Sequence, residues 1–331
     1  MPRGPISHAI VAAMAAGSPG SRLSMPDLDR ADPFSGDVQL ALHACYETHY
    51  RGFDEVDPDW EWDPALIDAR IQMERVFLSR IRAEVTGGTD VDGVLDTVSA
   101  DSVRDTGISQ HLRTSGTWWQ TQEYFAHRSI YQLKEADPQA WVIPRLEGAA
   151  KCALVAVEFD EFGGGDAERM HSRLFEDLLD AAGLDSTYLA YVDLVPAETL
   201  ATVNFMSLCG LRRSMRGALV GGFAAAEIST SPSARRMIDA LERLQAPPEC
   251  VHFYAEHVEA DAVHEQVLRR DVVDDLIARE PGLAADVVLG VQATELLEER
   301  LSGCLLGSWA RGNSSLLAVG AHGDVSARQA T

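Results

Sequence analysis

FYAEHVEADAVHE, residues 253–265, places two histidines and an aspartate, His257, Asp261 and His264, at positions i, i+4 and i+7. On an α-helix these three share one stripe, within about 60° of each other. An apolar stripe at that spacing would be ordinary core. Two imidazoles and a carboxylate on one stripe are different, because buried together they need partners. Imidazole plus carboxylate is the donor set that suits iron, manganese or zinc. The competing reading is a solvated polar face, since Glu256, Glu259 and Glu265 are interspersed.

Two earlier stretches carry matching donors. In VEFDEFGGGDAERMHSRLF, residues 157–175, Glu161, Glu168 and His171 stand at i, i+7 and i+10. They lie within about 80° of each other if one helix runs through Gly163, Gly164 and Gly165. Glycine inside a helix costs about 1 kcal/mol relative to alanine, so a continuous helix there needs a reason, such as the close approach of another helix. The alternative is a loop, which would carry Glu161 away from His171. Glu158 is expected beside the site and Asp160 towards solvent. In HRSIYQLKEADPQAWVIPRL, residues 127–146, Glu135 falls in the last turn before Asp137-Pro138. A carboxylate is disfavoured at a helix C-terminus unless a cation compensates. His127 and Tyr131 are expected as hydrogen-bonded core residues.

The candidates total four carboxylates and three imidazoles, more than a single zinc site requires. Glu168-Arg169-Met170-His171 is a Glu-x-x-His motif, of which a ferritin-like bundle has two. The late segment gives His-x3-Asp-x2-His instead, which argues against a ferritin-like fold. Elsewhere helical periodicity dominates. Residues 64–84, 118–136, 143–162, 166–182, 197–227, 233–244, 252–279 and 284–302 are predicted helices, and strand-like alternation is scarce. The fold class is all-α, a helical bundle with irregular connections. Residues 1–35 and 311–331, rich in small and polar residues, are expected to be a disordered N-terminal tail and a flexible C-terminal tail around one domain, 36–310.

The 331-residue chain is 46% hydrophobic and carries 51 acidic against 28 basic residues, a net charge of −23. That balance argues against nucleic acid and against an anionic membrane surface. Five cysteines without a CxxC pair fit a reducing compartment, so a cytoplasmic location is expected. Glu227, in the apolar stretch GALVGGFAAAEIS, is a candidate either to stand behind the metal ligands or to meet a substrate ammonium. Arg145, with Arg212, Arg213 and Lys151, is a candidate partner for a substrate carboxylate.

On the three quoted segments the chain resembles the haem-oxygenase-like di-iron oxidases, a family of iron-containing redox enzymes. The likeness spans roughly residues 110–280 in order and spacing. In that family one helix gives a glutamate, here Glu135. The next gives two glutamates and a histidine, here Glu161, Glu168 and His171, and a late helix gives His257, Asp261 and His264. The resemblance implies a haem-oxygenase-like bundle without haem, two Fe(II) ions, O2 as cosubstrate, and Glu161 and Glu168 as catalytic carboxylates. It also implies a late ligand helix that orders as iron binds. The expected reaction is hydrogen abstraction from an unactivated C–H of a small aliphatic amino acid, giving desaturation or C–N ring closure in antibiotic or other natural-product metabolism. Amine N-oxygenation, oxidative C–C cleavage and a non-enzymatic metal-binding role are the alternatives. An amino acid-like substrate, an external electron donor and a homodimer are the expected partners.

Overall fold

The computed structural model describes residues 1–28, 30–103 and 106–318; the side chains of residues 259–262 lie outside the described set. Its helices, in chain order, are α1 (Pro5–Ala16), α2 (Gly36–Glu47), α3 (Pro64–Glu84), α4 (Val91–Ser102), α5 (Gly107–Thr114), α6 (Trp118–Gln132) and α7 (Asp137–Ala140). These are followed by α8 (Gly148–Glu161), α9 (His171–Ala181), α10 (Ala197–Leu211), α11 (Arg216–Arg243), α12 (Pro248–Gln266), α13 (Asp274–Arg279) and α14 (Ala284–Trp309). No strand occurs among the described residues, so the all-α expectation holds. Nor is any described helix long and apolar enough to cross a membrane.

Local chemistry accounts for several boundaries. The Asp63 side chain accepts the Leu66 backbone N–H at 2.9 Å and Pro64 occupies the first helical position, so α3 starts where its stripe starts. Leu66, Ala69, Met73, Phe77 and Ile81 then bury one face. Each large side chain among them contributes about 1.5–3 kcal/mol of burial, and Phe77→Ala would cost about 3–5 kcal/mol. The predicted helix 118–136 stops earlier, at Gln132, in a turn where Ala136 takes a left-handed φ of 71°. Buried Lys134 holds that turn through an ion pair with Glu47 at 3.0 Å.

The predicted break between 227 and 233 is absent. Arg216–Arg243 forms one helix through Pro232, and the chain breaks instead at 212–215. Packing against α14 accounts for the continuity. A Cβ on Gly221 would lie 2.2 Å from the Val287 carbonyl oxygen, and one on Gly290 would lie 2.0 Å from that of Ala218. Only glycine permits so close a crossing, which seats the first turns of α11, before the proline, on α14.

The tails depart from expectation. Residues 1–35 contain α1, whose Ile6, Ile10 and Met14 are buried in the main core. Backbone N–H groups of Ile6 and Ser7 donate to Asp37 on α2, which docks the helix end. At the other end, Ser315 is buried against Glu123 and His127, and the Leu317 N–H donates to the Leu194 carbonyl at 2.7 Å. The remainder of the expected C-terminal tail, 319–331, lies outside the described residues.

Candidate metal centre

The glycine run is a loop. Gly163, Gly164 and Gly165 have φ of 77°, 64° and 92°, a left-handed series that ends α8 just after Glu161 and restarts the helical path at His171. The loop doubles back instead of separating its ends. A Cβ on Gly163 would sit 2.7 Å from the Met170 nitrogen. As a result, Glu161 at the end of α8 faces His171 at the start of α9, with Oε2 to Nδ1 at 2.8 Å. The expectation of a helix running through the glycines is thereby corrected, although the pair it predicted is present.

The helix α12 brings His257 and His264 to the same place. The His257 ring packs 4.4 Å from the His171 ring and 4.4 Å from Phe253, and its Nδ1 sits 2.8 Å from the Phe253 carbonyl oxygen. That carbonyl takes an Nδ1 proton and leaves Nε2 as the donor atom towards Glu135, whose Oε1 is 3.6 Å away. His264 Nδ1 lies 3.3 Å from both Glu161 and Glu227, and its Nε2 lies 3.3 Å from Asp160.

The donors fall into two groups. In Glu135, His171 and His257, one ligand atom from each residue lies within 4.8 Å of the others, and the same holds for Glu161, Glu227 and His264. Glu161 joins the groups by touching a histidine of each. Among the described residues, the ion pairs of Glu135, Glu161 and Glu227 run only to histidines. Glu158, one turn before Glu161, is 3% exposed, and neither carboxylate oxygen has a hydrogen-bond partner among the described residues.

The electrostatics are those of a place built for positive charge. Burial pushes Glu158 up to about 9, helped by Glu161, Asp137 and Glu227. Burial likewise raises Glu227, and its pairing with His264 opposes the rise. Burial works against charge on Glu161, yet His171 and then His264 hold it below the usual carboxylate range. Burial opposes charge on His264 too, but Glu161 and Glu227 carry it up to about 11. Several carboxylates sharing a low-dielectric space must protonate or gather cations. A mixed imidazole and carboxylate set of this kind suits divalent iron, so the residues present fit the metal that the resemblance implies.

Not every expected donor joins. The side chain of Asp261, on α12, lies outside the described residues. The Glu168 carboxylate is 82% exposed on the turn between the two helices, 3.9 Å from Arg173. The glycine loop puts Glu168 on its outer side, so reaching the cluster would require the loop to turn over. Glu227, expected behind the ligands or at a substrate ammonium, stands beside His264 and Glu161 as a member of a donor group. Arg145 is spent elsewhere, donating to the Gly210 and Leu211 carbonyls that end α10. His127 is the core residue it was expected to be, bonded to Thr199 at 2.7 Å and Ser315 at 2.9 Å. The Tyr131 hydroxyl accepts from Gln139. Asp160 is mostly solvent-facing, as expected, but reaches His264.

A cavity of about 710 Å³ opens onto Glu135, Glu227 and His257. It is bounded by Phe175, Phe253 and Tyr254 on one side and by α14 on the other. Its size is within the range of small-molecule sites, about 300–1,000 Å³.

A family model described as an iron-containing redox enzyme matches residues 122–299, a span that holds both donor groups. Over 168 residues the chain is 26% identical to a nitrosourea synthase of Streptomyces achromogenes subsp. streptozoticus, covering 50% of this chain and 36% of that protein. The chain thus matches about a third of the length of that curated relative.

Proposed function

The chain belongs to the iron-containing redox enzyme family, and we propose that it is an O2-dependent oxidase whose two donor groups hold two non-haem irons. The observation that carries this reading is the pair of buried donor groups joined at Glu161. Glu135, His171 and His257 would hold one ion, and Glu161, Glu227 and His264 the other. Bound iron supplies Lewis-acid and redox chemistry that couples O2 reduction to substrate oxidation.

The chain's own residues prepare this chemistry. Phe253 sets the His257 ring through its carbonyl, so that Nε2 points at the site. His264, protonated between two carboxylates, releases its proton as metal binds, and uptake therefore strengthens with pH. Phe175, Phe253 and Tyr254 keep water from the inner cavity wall. The substrate is a small aliphatic amino acid, and hydrogen leaves an unactivated C–H to give desaturation or C–N ring closure in natural-product metabolism. Removing two hydrogens while O2 goes to water takes two further electrons, which an external donor supplies.

The relative's name favours a second reading, N-oxygenation of an amine on the same site. Mass spectrometry under 18O2 separates the two: loss of two hydrogens marks C–H oxidation, and label on nitrogen marks the second reading. Release of a shortened carbon chain would mark C–C cleavage.

The prior test is metal content. Iron-free protein loaded anaerobically with Fe(II) is expected to take up two irons per chain, and His171→Ala and His257→Ala about one, since both histidines belong to the same donor group. Wild-type uptake below one iron, matched by both variants, would reduce the protein to a bundle with polar histidines.

A further inference from the structure

The cavity that opens onto the donor groups is unbalanced in charge. Among the described residues that line it are six carboxylates and two guanidiniums. Both guanidiniums are engaged. Arg128 makes a bidentate pair with Glu298 at 2.7 and 2.8 Å, and Arg236 donates to Ser109 Oγ and the Ser102 carbonyl. Glu135 and Glu227 belong to the donor groups, Asp101 has a partner of its own, and Glu299 is exposed. Glu295 is left. It stands on α14 one turn before Glu298, half-buried on the cavity wall, with no ion pair or hydrogen bond among the described residues. It lines the same cavity as Glu135, Glu227 and His257. Neighbouring Thr294 packs against Gly222 on α11, where a Cβ would meet Thr294 Oγ1 at 2.9 Å, one and a half turns before Glu227.

We infer that Glu295 recognises a cationic nitrogen of the substrate, so that the oxidase takes a free amine or amino acid rather than an acylated or purely carboxylic molecule. The inference rests on the oxidase reading above for the word substrate; the cation site itself rests on the cavity. A carboxylate in a low-dielectric wall without a counter-ion is costly, and an arriving ammonium relieves that cost. Burial, with Glu298, Asp101 and Glu299 near it, pushes Glu295 up to about 7, the response of a group that lacks a cation. An anionic head alone gains nothing there, because Glu298 already occupies Arg128. The hydroxyls of Thr230 and Ser233 on α11 also line the cavity and offer acceptors for the remaining N–H groups. Because the cavity that Glu295 lines also opens onto Glu135, Glu227 and His257, an ammonium held on the α14 wall leaves the rest of a short aliphatic molecule in the space those donors share.

Calorimetry on the iron-free protein tests this with three probes, n-pentylamine, pentanoate and L-norvaline. Using iron-free protein keeps the amine from binding metal. The amine and the amino acid are expected to bind saturably and pentanoate not to bind. Glu295→Gln should weaken the amine at least tenfold, and Glu295→Asp should restore part of the loss. Iron uptake by Glu295→Gln should stay at the wild-type number, which shows that the fold is kept. Pentanoate binding as tightly as the amine, or an amine affinity unchanged in Glu295→Gln, overturns the inference. Failed iron uptake in a protein whose amine binding still depends on Glu295 counts against the oxidase and leaves the cation site standing.

Discussion

Glu161 and Glu158 are three residues apart, both buried, and opposite in role. Glu161 touches His171 and His264, and it is the shared member of the two donor groups. Among the described residues Glu158 touches no hydrogen-bond donor, and burial pushes it up to about 9, so near neutral pH its carboxyl already carries a proton. Glutamine copies the shape and charge of that protonated form. Glu158→Gln is therefore expected to keep two irons per chain and to change the unfolding free energy by less than about 1 kcal/mol. Glu161→Gln replaces a charged, doubly paired oxygen with an amide and is expected to drop uptake below one iron. Iron analysis and urea titration of both variants check the pair; equal iron contents would remove Glu161 from its joining position. The histidines were legible in the sequence because i, i+4, i+7 spacing survives any tertiary arrangement of a helix. Glu227 was noticed as a charge in an apolar run, but its place beside His264 depends on how α11 meets α12, which spacing along one chain segment does not encode. Glu295 carried no local signal at all, since a glutamate on a long helix next to Glu298 and Glu299 looks like an ordinary solvated face.

At the scale of elements, the loop between α8 and α9 decides whether the centre forms. Helical periodicity alone predicted Glu161 and His171 on one side of a continuous helix, and the pair is present for a different reason. Three successive left-handed glycines turn the chain back so that the end of α8 faces the start of α9. Periodicity could not distinguish these cases, because a loop that returns its ends to contact imitates a helix in which they were always aligned. It did miss Glu168, which a continuous helix would have put with its neighbours and the loop puts outside. The helices themselves were mostly legible, with α3 beginning at its Asp63-Pro64 start signal. The path through Pro232 was hidden, because the close packing of α11 on α14 pairs Gly221 and Ala218 with residues far along the chain. Gly163→Ala tests the loop. Its added Cβ meets the backbone of Arg169 and Met170 at 2.8 and 2.7 Å, on a residue whose φ of 77° already disfavours a side chain. A loss of about 1–3 kcal/mol by urea titration is expected, together with fewer than two irons per chain. The same substitution at Gly164, where the nearest atom is a Phe159 ring carbon at 3.9 Å, meets no backbone and should cost less. Equal losses at the two positions would mean that the close return of the loop is unimportant.

Across the whole molecule, the buried ionisable groups give the iron-free protein a pH dependence of definite sign. His43 and His127 are both lowered to about 3, first by burial and then by Lys134 and Arg128 respectively. In the native protein they hold no proton above pH 6.5, while an unfolded histidine is half-protonated at pH 6.5 and neutral by pH 8.5, so together they raise stability by only about 0.8 kcal/mol across the window from pH 6.5 to 8.5. Glu158, raised to about 9, and His264, raised to about 11, remain. In that window the folded chain holds most of a proton on each, whereas unfolded glutamate holds almost none and unfolded histidine gives up its remaining half across the lower part of the window. The stability from His264 is fully present below pH 6.5 and is lost as pH rises towards its folded value. The penalty for burying Glu158 grows as pH climbs from the ordinary carboxylate range towards about 9. Glu295, raised to about 7 by burial, acts in the same direction over the lower part of the window. Native-state proton excess makes stability fall with pH by about 1.4 kcal/mol per proton and pH unit. The iron-free protein should therefore lose about 5 kcal/mol between pH 6.5 and 8.5, read as a falling urea midpoint. Fe(II) bound anaerobically should do the reverse. Metal replaces the protons that the donors hold, its affinity rises with pH, and ligand binding to the native state adds stability by mass action. The gap between iron-loaded and iron-free midpoints is thus expected to widen from pH 6.5 to 8.5, and Glu158→Gln should flatten the iron-free slope by roughly half. An iron-free midpoint that stays level or climbs across this range would show that Glu158 and His264 do not carry protons in the native fold, and the electrostatic case for a cation site would go with them.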